Sequence, residues 1–356
     1  MIRYAVVGAG WIAQEAFLPA VAATGNSRMQ AIVSGSADAA RRLAVFHGVP
    51  EVLGYADYDA LLASDRIDAV YVALPNSMHA DYAIRALRAG KHVMVEKPLA
   101  TTLAESQAMV GAAAASGAFL MTAYRLHNEP ATHAMLGAVR SGAIGDVVYL
   151  SATFGFQTRL GNHRLKAGHW GGALPDVGIY CLNAARHVFA AEPLAVQAMA
   201  SRPAHDPRFA EIDASLAVTL RFPGERLAQF FCSFGSALSE SLRIVGTEGE
   251  LILDPAFRFE STMQITLRRD GKETRQSFPH VDHFAGQIAY FSDCIRQGTP
   301  PEADGAEGLA DMRVLLAIER AAESGQTVAL DPRPFGKGIT PDMVRSFPTT
   351  DRRLLL

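Results

Sequence analysis

Two short stretches carry residues whose types and spacing can do chemistry. The first is Gly8-Ala9-Gly10-Trp11-Ile12-Ala13, directly after the apolar run Tyr4-Ala5-Val6-Val7. Gly8 suits a tight turn, and Gly10 lets the backbone come close to a pyrophosphate. Ala13 holds the small-residue position where helix meets strand. The N–H groups of Trp11 and Ile12 and the dipole of the helix that follows favour an anion. This is the fingerprint of a dinucleotide site, and hence of redox chemistry. The second stretch is Glu96-Lys97-Pro98, which ends the apolar run His92-Val93-Met94-Val95. In a doubly wound sheet ligands bind outside the carboxyl ends of the strands, so a lysine here points into the cofactor cleft. Pro98 rigidifies the turn, by a cis bond if it forms one. Read alone, Lys97 is a surface lysine before a turn proline.

The nucleotide can be narrowed further. An acid at the tip of the second strand would accept bonds from the ribose 2′-OH of NAD. Here the strand ends Ala31-Ile32-Val33-Ser34-Gly35-Ser36, with no acid at its tip. Ser34 and Ser36 can donate to a 2′-phosphate, and Arg41 and Arg42 follow on the next helix. NADP is therefore the expected cofactor, with NAD as the alternative. Ser36 also reads as a helix N-cap, with Asp38 favourable in the first turn.

The elements that must position these groups read as an α/β arrangement joined to an α+β one. Up to residue 123, apolar runs at 4–7, 30–33, 69–74, 92–95 and 119–122 alternate with helical stretches. Nearly continuous apolar strands between helices predict a Rossmann-type doubly wound parallel sheet covered on both faces. Gly90 is placed to close the helix over 81–87, and Pro19 should break the first helix. From 147 onward, strands at 147–153, 196–201, 215–222, 227–233, 242–245, 250–253 and 263–268 predict a mainly antiparallel sheet with one open face. Helices over 178–189, 283–296 and 307–324 flank it. The expected domains are 1–123 for the nucleotide and 124–330 for substrate binding and dimerisation. The Pro- and Gly-rich tail, 331–356, is a surface arm or an oligomer contact.

With these elements in place, the chain resembles the Gfo/Idh/MocA oxidoreductases, and among them the glucose–fructose oxidoreductases. The resemblance covers most of the chain. It is carried by Gly8-x-Gly10-x-x-Ala13, Leu74-Pro75-Asn76-Ser77-x-His79, Ala89-Gly90-Lys91-His92-Val93, Glu96-Lys97-Pro98, Tyr124-Arg125 and Asp176-Val177-Gly178-Ile179-Tyr180-x-Leu182-Asn183. It implies hydride transfer between a sugar or polyol carbon and nicotinamide. Tyr180 is the implied acid/base, in the position where many relatives have His. A free tyrosine titrates near pH ~10, so the positive charge of Lys97 is needed to favour tyrosinate and polarise the substrate oxygen. Asp176 lies four residues before Tyr180 and, on a wound turn, shares its face and orients substrate or Lys97. The resemblance also places Leu74, Pro75, Asn76, His79, Glu96 and Arg125 at the cofactor, beside Gly8, Gly10, Trp11, Ile12, Ser34, Ser36, Arg41 and Lys97, with a helix start as the alternative for His79. The sugar falls to Lys97, Arg125, His127, Asp176, Tyr180 and Asn183. The segment containing His163, Arg164, His169 and Trp170 suits stacking on a sugar ring. Relatives place a basic 2′-phosphate contact where Ala39 stands, which leaves that role to Arg41.

Composition bounds these readings. The chain has 356 residues, 49% hydrophobic and 19% charged, with a net charge of −3. That is enough apolar material for two cores and too little positive charge for a nucleic-acid or membrane-surface partner. Three scattered cysteines fit buried free thiols in a reducing compartment. The chain opens directly on a strand and has no apolar run of membrane-spanning length, so cytoplasmic residence is expected. His280-Val281-Asp282-His283 has zinc-like spacing but no second pair, so no metal is expected. An apolar open sheet face needs a cover, which predicts homodimers or homotetramers. An anhydrofructose reductase or an inositol or polyol dehydrogenase is the alternative within the class. A cofactor- and sugar-sensing regulator without catalysis is the alternative outside it, and would be expected to lack Lys97 or Tyr180. The nucleotide reading has a direct check: Michaelis constants should favour NADP over NAD, and a clear preference for NAD would overturn it.

Overall fold

The computed structural model describes residues 1–356. The strands of the first sheet are β1 (Ile2–Val7), β2 (Ser27–Val33), β3 (Glu51–Leu53), β4 (Ala69–Val72), β5 (His92–Val95) and β6 (Leu120–Thr122), all parallel, in the order β3-β2-β1-β4-β5-β6. The helices α1 (Leu18–Val21), α2 (Ala37–His47), α3 (Tyr58–Leu62), α4 (His79–Arg88) and α5 (Leu103–Ser116) lie between these strands in the chain. The central strands β1, β4 and β5, with β6 and the carboxyl half of β2, are buried almost without break, as expected where helices cover both faces of a sheet. Strand order reverses between β1 and β4, and this switch point is where the crevice of such sheets opens. The sheet bonding runs one residue into each loop: Gly8 N–H reaches Val33 O at 2.9 Å, Ala73 N–H reaches Val7 O at 2.9 Å, and Glu96 N–H reaches Val72 O at 3.0 Å. The glycine loop, the Leu74 turn and the Lys97 turn therefore start at one level.

Pro19 does what its ring demands. Ala13–Phe17 winds as a wide π turn, and α1 restarts with Pro19 in its first turn, where a missing N–H costs nothing. Gly90 adopts φ +73° just past α4, and Lys91 N–H returns to Ala86 O at 3.0 Å.

The second sheet has nine strands: β7 (Val147–Gly155), β8 (Ala195–Ser201), β9 (Ser215–Phe222), β10 (Arg226–Ser233), β11 (Ser239–Gly246), β12 (Gly249–Leu253), β13 (Gln264–Arg269), β14 (Lys272–Ser277) and β15 (Val328–Ala329). Its order is β14-β13-β12-β11-β7-β10-β9-β8-β15, antiparallel except for the parallel pair β7–β10. Burial alternates along β9 and β10, so one face is inner and one is open. Helices α6 (Pro130–Arg140) and α7 (Ile179–Phe189) belong to the same unit.

The division of the chain differs from an uninterrupted second domain. One unit comprises Met1–Glu129, Val281–Leu309 and Thr340–Leu356, and the other Pro130–His280 and Ala310–Ile339. The helix α8 (His283–Gln297) therefore returns to the first unit, and α9 (Gly305–Ser324) contains the boundary. Small polar groups explain the return of α8: Ser292 Oγ lies 2.8 Å from Tyr4 Oη and 2.7 Å from Ser27 Oγ, and Asn26 donates to Asp293 at 2.9 Å. The tail follows the same unit. Asp282 N–H bonds Phe347 O at 2.9 Å, Arg345 pairs with Asp293 at 3.2 Å, and Arg353 pairs with Glu15. No helix is long and apolar enough to cross a membrane.

Candidate active site

In the first unit the glycine loop is shaped by a backbone wall. Gly8 has φ +94°, and a Cβ there would lie 2.5 Å from Ala73 O and 3.0 Å from Leu74 Cδ2. Only glycine meets both demands. At Gly10 an added Cβ would meet nothing within 4 Å, so this stretch of backbone faces open space. Trp11 is exposed, Ile12 half-buried and Ala13 buried. The Gln14 side chain braces the loop by donating to Ala9 O at 2.7 Å. These are the features that a pyrophosphate needs: an approachable backbone and N–H groups at a helix start.

At the tip of β2, Ser34 is nearly buried and its hydroxyl accepts from Ser36 N–H at 3.2 Å, while Ser36 itself is exposed. Arg41 pairs with Asp38 one turn earlier on α2, both well exposed. Exposed pairs of this kind contribute little, so Arg41 can exchange Asp38 for a phosphate. Ser36, Arg41 and Arg42 leave this end cationic and accessible.

The Lys97 turn is held from both sides. Glu96 and Lys97 are half-buried between the buried runs 93–95 and 98–100, and the Lys97-Pro98 peptide is cis. Tyr71 of β4 donates its phenol to the Glu96 carboxylate and stacks on Phe17 at 3.7 Å between ring centroids. Pro75 and Asn76 are half-buried after β4, and Leu74 is buried. His79 is 0% exposed, with Nδ1 2.9 Å from Pro98 O and Nε2 2.9 Å from Leu74 O. Burial pushes the His79 ring below its ordinary value. The two carbonyls act against that shift, and the charge of Lys97 adds to it. His79 also begins α4, so its ring joins two loops from a helix start.

Arg125 and His127 are buried as well, at 5% and 2% exposure. Arg125 Nη1 lies 3.1 Å from His283 Nδ1 on α8, and His127 stacks on Tyr124. A guanidinium out of water needs a partner, and the return of α8 supplies one. Arg125 is expected at cofactor and sugar and His127 at the sugar; the contacts to His283 and Tyr124 are what the structure adds. His283 is thereby committed to Arg125, while His280 bonds Phe259 O at 2.8 Å.

In the second unit, Leu174–Gly178 winds as a π turn and runs into α7. Gly178 packs this start on β10: an added Cβ would lie 3.0 Å from Cys232 Sγ and 3.4 Å from Phe230. Between Gly172 and Phe189 every residue is buried except Asp176, Tyr180 and Ala184, which follow one another at intervals of four. Asp176 and Tyr180 therefore share the one unburied stripe of an embedded helix. Asp176 pairs with Arg164 at 3.3 Å. The Tyr180 ring stands edge-on to Phe154 at 5.7 Å and tilts against Phe257 at 6.2 Å. The preceding loop is pinned, with Trp170 Nε1 donating to Glu319 at 2.7 Å and Lys166 pairing with Glu211.

Asn183 lies off that stripe. Its amide donates to Asp311 Oδ2 at 3.0 Å, inside a buried cluster that sequence reasoning missed. Arg186, 0% exposed, donates to Asp311 at 2.6 Å and in a fork to Glu192 at 3.0 and 2.7 Å. The only sequence signal was a charge among apolar residues in Leu182–Phe189 and another at Asp311 in α9. Asn183, expected at the sugar, thus has a structural partner in Asp311. Two carboxylates on one buried guanidinium fix α7 against α9. Replacing Asp311 by Ala should lower unfolding free energy by about 3–5 kcal/mol in urea titrations. A loss below about 1 kcal/mol would mean the cluster is dispensable.

The comparisons with known proteins agree with this fold. Residues 2–124 match the family model described as an oxidoreductase family with an NAD-binding Rossmann fold, and residues 133–252 match the GFO/IDH/MocA C-terminal domain. A D-xylose 1-dehydrogenase [NADP(+)] from Haloarcula marismortui is 30% identical over 338 residues, 93% of each chain. The crystal structure of an aldose-aldose oxidoreductase from Caulobacter crescentus, complexed with glycerol, superposes with a TM-score of 0.88 at 34% identity, covering 92% of this chain and 99% of that one. A 3-ketoreductase from Actinomadura kijaniata, solved with NADP and TDP-benzene, gives 0.83 at 28% identity, covering 90% and 97%. Matched in both units and along nearly its whole length, the chain belongs to the Gfo/Idh/MocA oxidoreductase family.

Proposed function

We propose that this oxidoreductase moves hydride between a sugar or polyol carbon and the nicotinamide of NADP(H), with Lys97, Asp176 and Tyr180 as its catalytic groups. The observation that carries the reading is the stripe on α7: a buried helix leaves out a carboxylate and a phenol at the spacing that aligns them. A phenol in a wall of aromatic rings is suited to a neutral sugar, whose ring faces are apolar and whose hydroxyls are not. The open backbone at Gly10, the helix start behind it and the acid-free, cationic tip of β2 fit a phosphorylated dinucleotide. The dehydrogenase and the ketoreductase that this chain resembles carry NADP in their descriptions, which supports the same cofactor here. The xylose and aldose relatives support an aldose as the substrate class.

When bound, the nicotinamide takes up hydride in oxidation and gives it back in reduction. The chain supplies the proton chemistry. Tyr180 accepts the hydroxyl proton as the C–H bond breaks and returns it in reduction. The ammonium of Lys97 draws electron density from the substrate oxygen. Asp176 orients the hydroxyl being oxidised. Of the other predicted residues, Gly8, Gly10, Trp11, Ile12, Ser36, Arg41, Pro75 and Asn76 keep the cofactor role in this proposal.

A panel of aldoses and polyols with NADP+, and of the matching ketones and lactones with NADPH, tests the reading by nicotinamide absorbance. Tyr180→Phe should lower kcat by about 10²–10⁴-fold with NADPH affinity retained. Near-normal turnover would remove Tyr180 from the mechanism. NADPH binding without turnover of any sugar would favour a sensor.

A second copy of the chain is proposed to cover the open sheet face. Met199, Ala217 and Phe231 stand side by side across β8, β9 and β10. Met199, Leu227 and Phe231 are 77%, 42% and 37% exposed. Sedimentation should give a dimer or tetramer that Phe231→Glu dissociates; a monomeric wild type would refute the assignment.

A further inference from the structure

The His79 ring joins two loops that the proposed chemistry uses for different purposes. One contact is to the carbonyl of Leu74, in the turn that walls off Gly8. The other is to the carbonyl of Pro98, whose ring nitrogen is bonded to Lys97. Both contacts measure 2.9 Å, and the ring is 0% exposed. Burial favours the neutral imidazole, which offers one N–H, so the ring donates to one of the two carbonyls at a time and packs its other nitrogen against the second. A space-filling apolar residue would remove that donor and the polar contact on the other side.

We propose that His79 is a positioning residue: it sets the spacing between the turn that backs the glycine loop and the turn that carries Lys97. The inference rests on the reading of the first unit as a nicotinamide site with Lys97 at its reacting end. Its mechanical logic is simple. The imidazole is planar and rigid, so the two carbonyls are held at one separation. Helix α4, which begins at His79, anchors the ring between β4 and β5 in the chain. A misplacement of about 1 Å at a reacting group can cost about 10²-fold in rate, so a rigid spacer between cofactor wall and lysine matters.

Two amide substitutions separate the arms of the clamp. The amide nitrogen of asparagine falls where Nδ1 stands, and that of glutamine where Nε2 stands. His79→Asn therefore keeps a donor for Pro98, and His79→Gln keeps one for Leu74. His79→Gln should lower kcat about 10-fold or more at nearly unchanged NADPH affinity. His79→Asn should keep kcat within about threefold while NADPH binding weakens by about 3–10-fold in fluorescence titrations. Amide hydrogen exchange read by mass spectrometry is independent of turnover. Exchange should quicken at 97–100 in His79→Gln and at 73–76 in His79→Asn, with the interiors of β4 and β5 unchanged in both.

If the two variants alter both segments alike, His79 is a core filler and the proposal fails. If the wild type turns over no sugar while the exchange pattern splits as described, the functional reading fails and the clamp stands. Should a variant not fold, the wild type decides: its His79 ring N–H must exchange slowly with water in NMR spectra, and fast exchange overturns the clamp.

Discussion

The approach of the glycine loop to the turn after β4 is the constraint on which the first unit depends. At the switch point of the sheet, β1 and β4 end side by side, and Gly8 passes the Ala73 carbonyl with no room for a Cβ. The backbone there must take a positive φ, which glycine accepts at little cost and other residues resist. That closeness leaves the Gly10 backbone facing open space and puts the helix start where an anion can meet its N–H groups. The neighbouring strand β5 ends at the same level, so Lys97 emerges beside the loop. Tyr71 and His79, both rooted near β4, then hold Glu96 and Pro98 on either side of Lys97.

The second unit solves a different problem, which is to present two polar side chains from an otherwise buried helix. α7 lies against the inner face of a large sheet, and at Gly178 the packing is tight enough that a methyl group would press on Cys232 and Phe230. Burying the far end of the helix brings in Arg186, whose charge must be matched inside. Asp311 and Glu192 match it, and Asn183 completes the bonding of Asp311. Such a cluster is weak evidence for added stability, since desolvation offsets attraction. Its geometry, however, fixes the rotation of α7 about its axis. With that rotation set, Asp176, Tyr180 and Ala184 form the stripe that stays uncovered.

Much of this was legible in the residues. Hydrophobic runs mark five of the six strands of the first sheet and most of the second, because strands buried on one or both faces must be written in apolar residues. β3 and β14 escaped notice for opposite reasons. β3 is a short, half-buried Glu-Val-Leu, and β14 is Lys-Glu-Thr-Arg-Gln-Ser, a fully exposed edge whose charges discourage further pairing. The Pro19 break and the Gly90 stop were readable since both are properties of single residues. Motif context assigns a ligand to Arg125, His127 and Asn183, and to His79 a ligand or a helix start, the latter being where it stands. The structure adds a protein partner for each, which a polar side chain carries no mark of in the sequence.

The sequence by itself determined the two kinds of sheet, the glycine loop, the acid-free end of β2 and the lysine at the end of β5. These are local matters: periodicity, turn chemistry and position along a strand act within a few residues. Tertiary structure alone decided that α8 and the tail return to the first unit, that Arg186 is neutralised across α9, and that His79 spans two loops. Each of those depends on groups far apart in the chain, brought together because buried donors, acceptors and charges must find partners out of water. No local pattern states which distant residue will supply them.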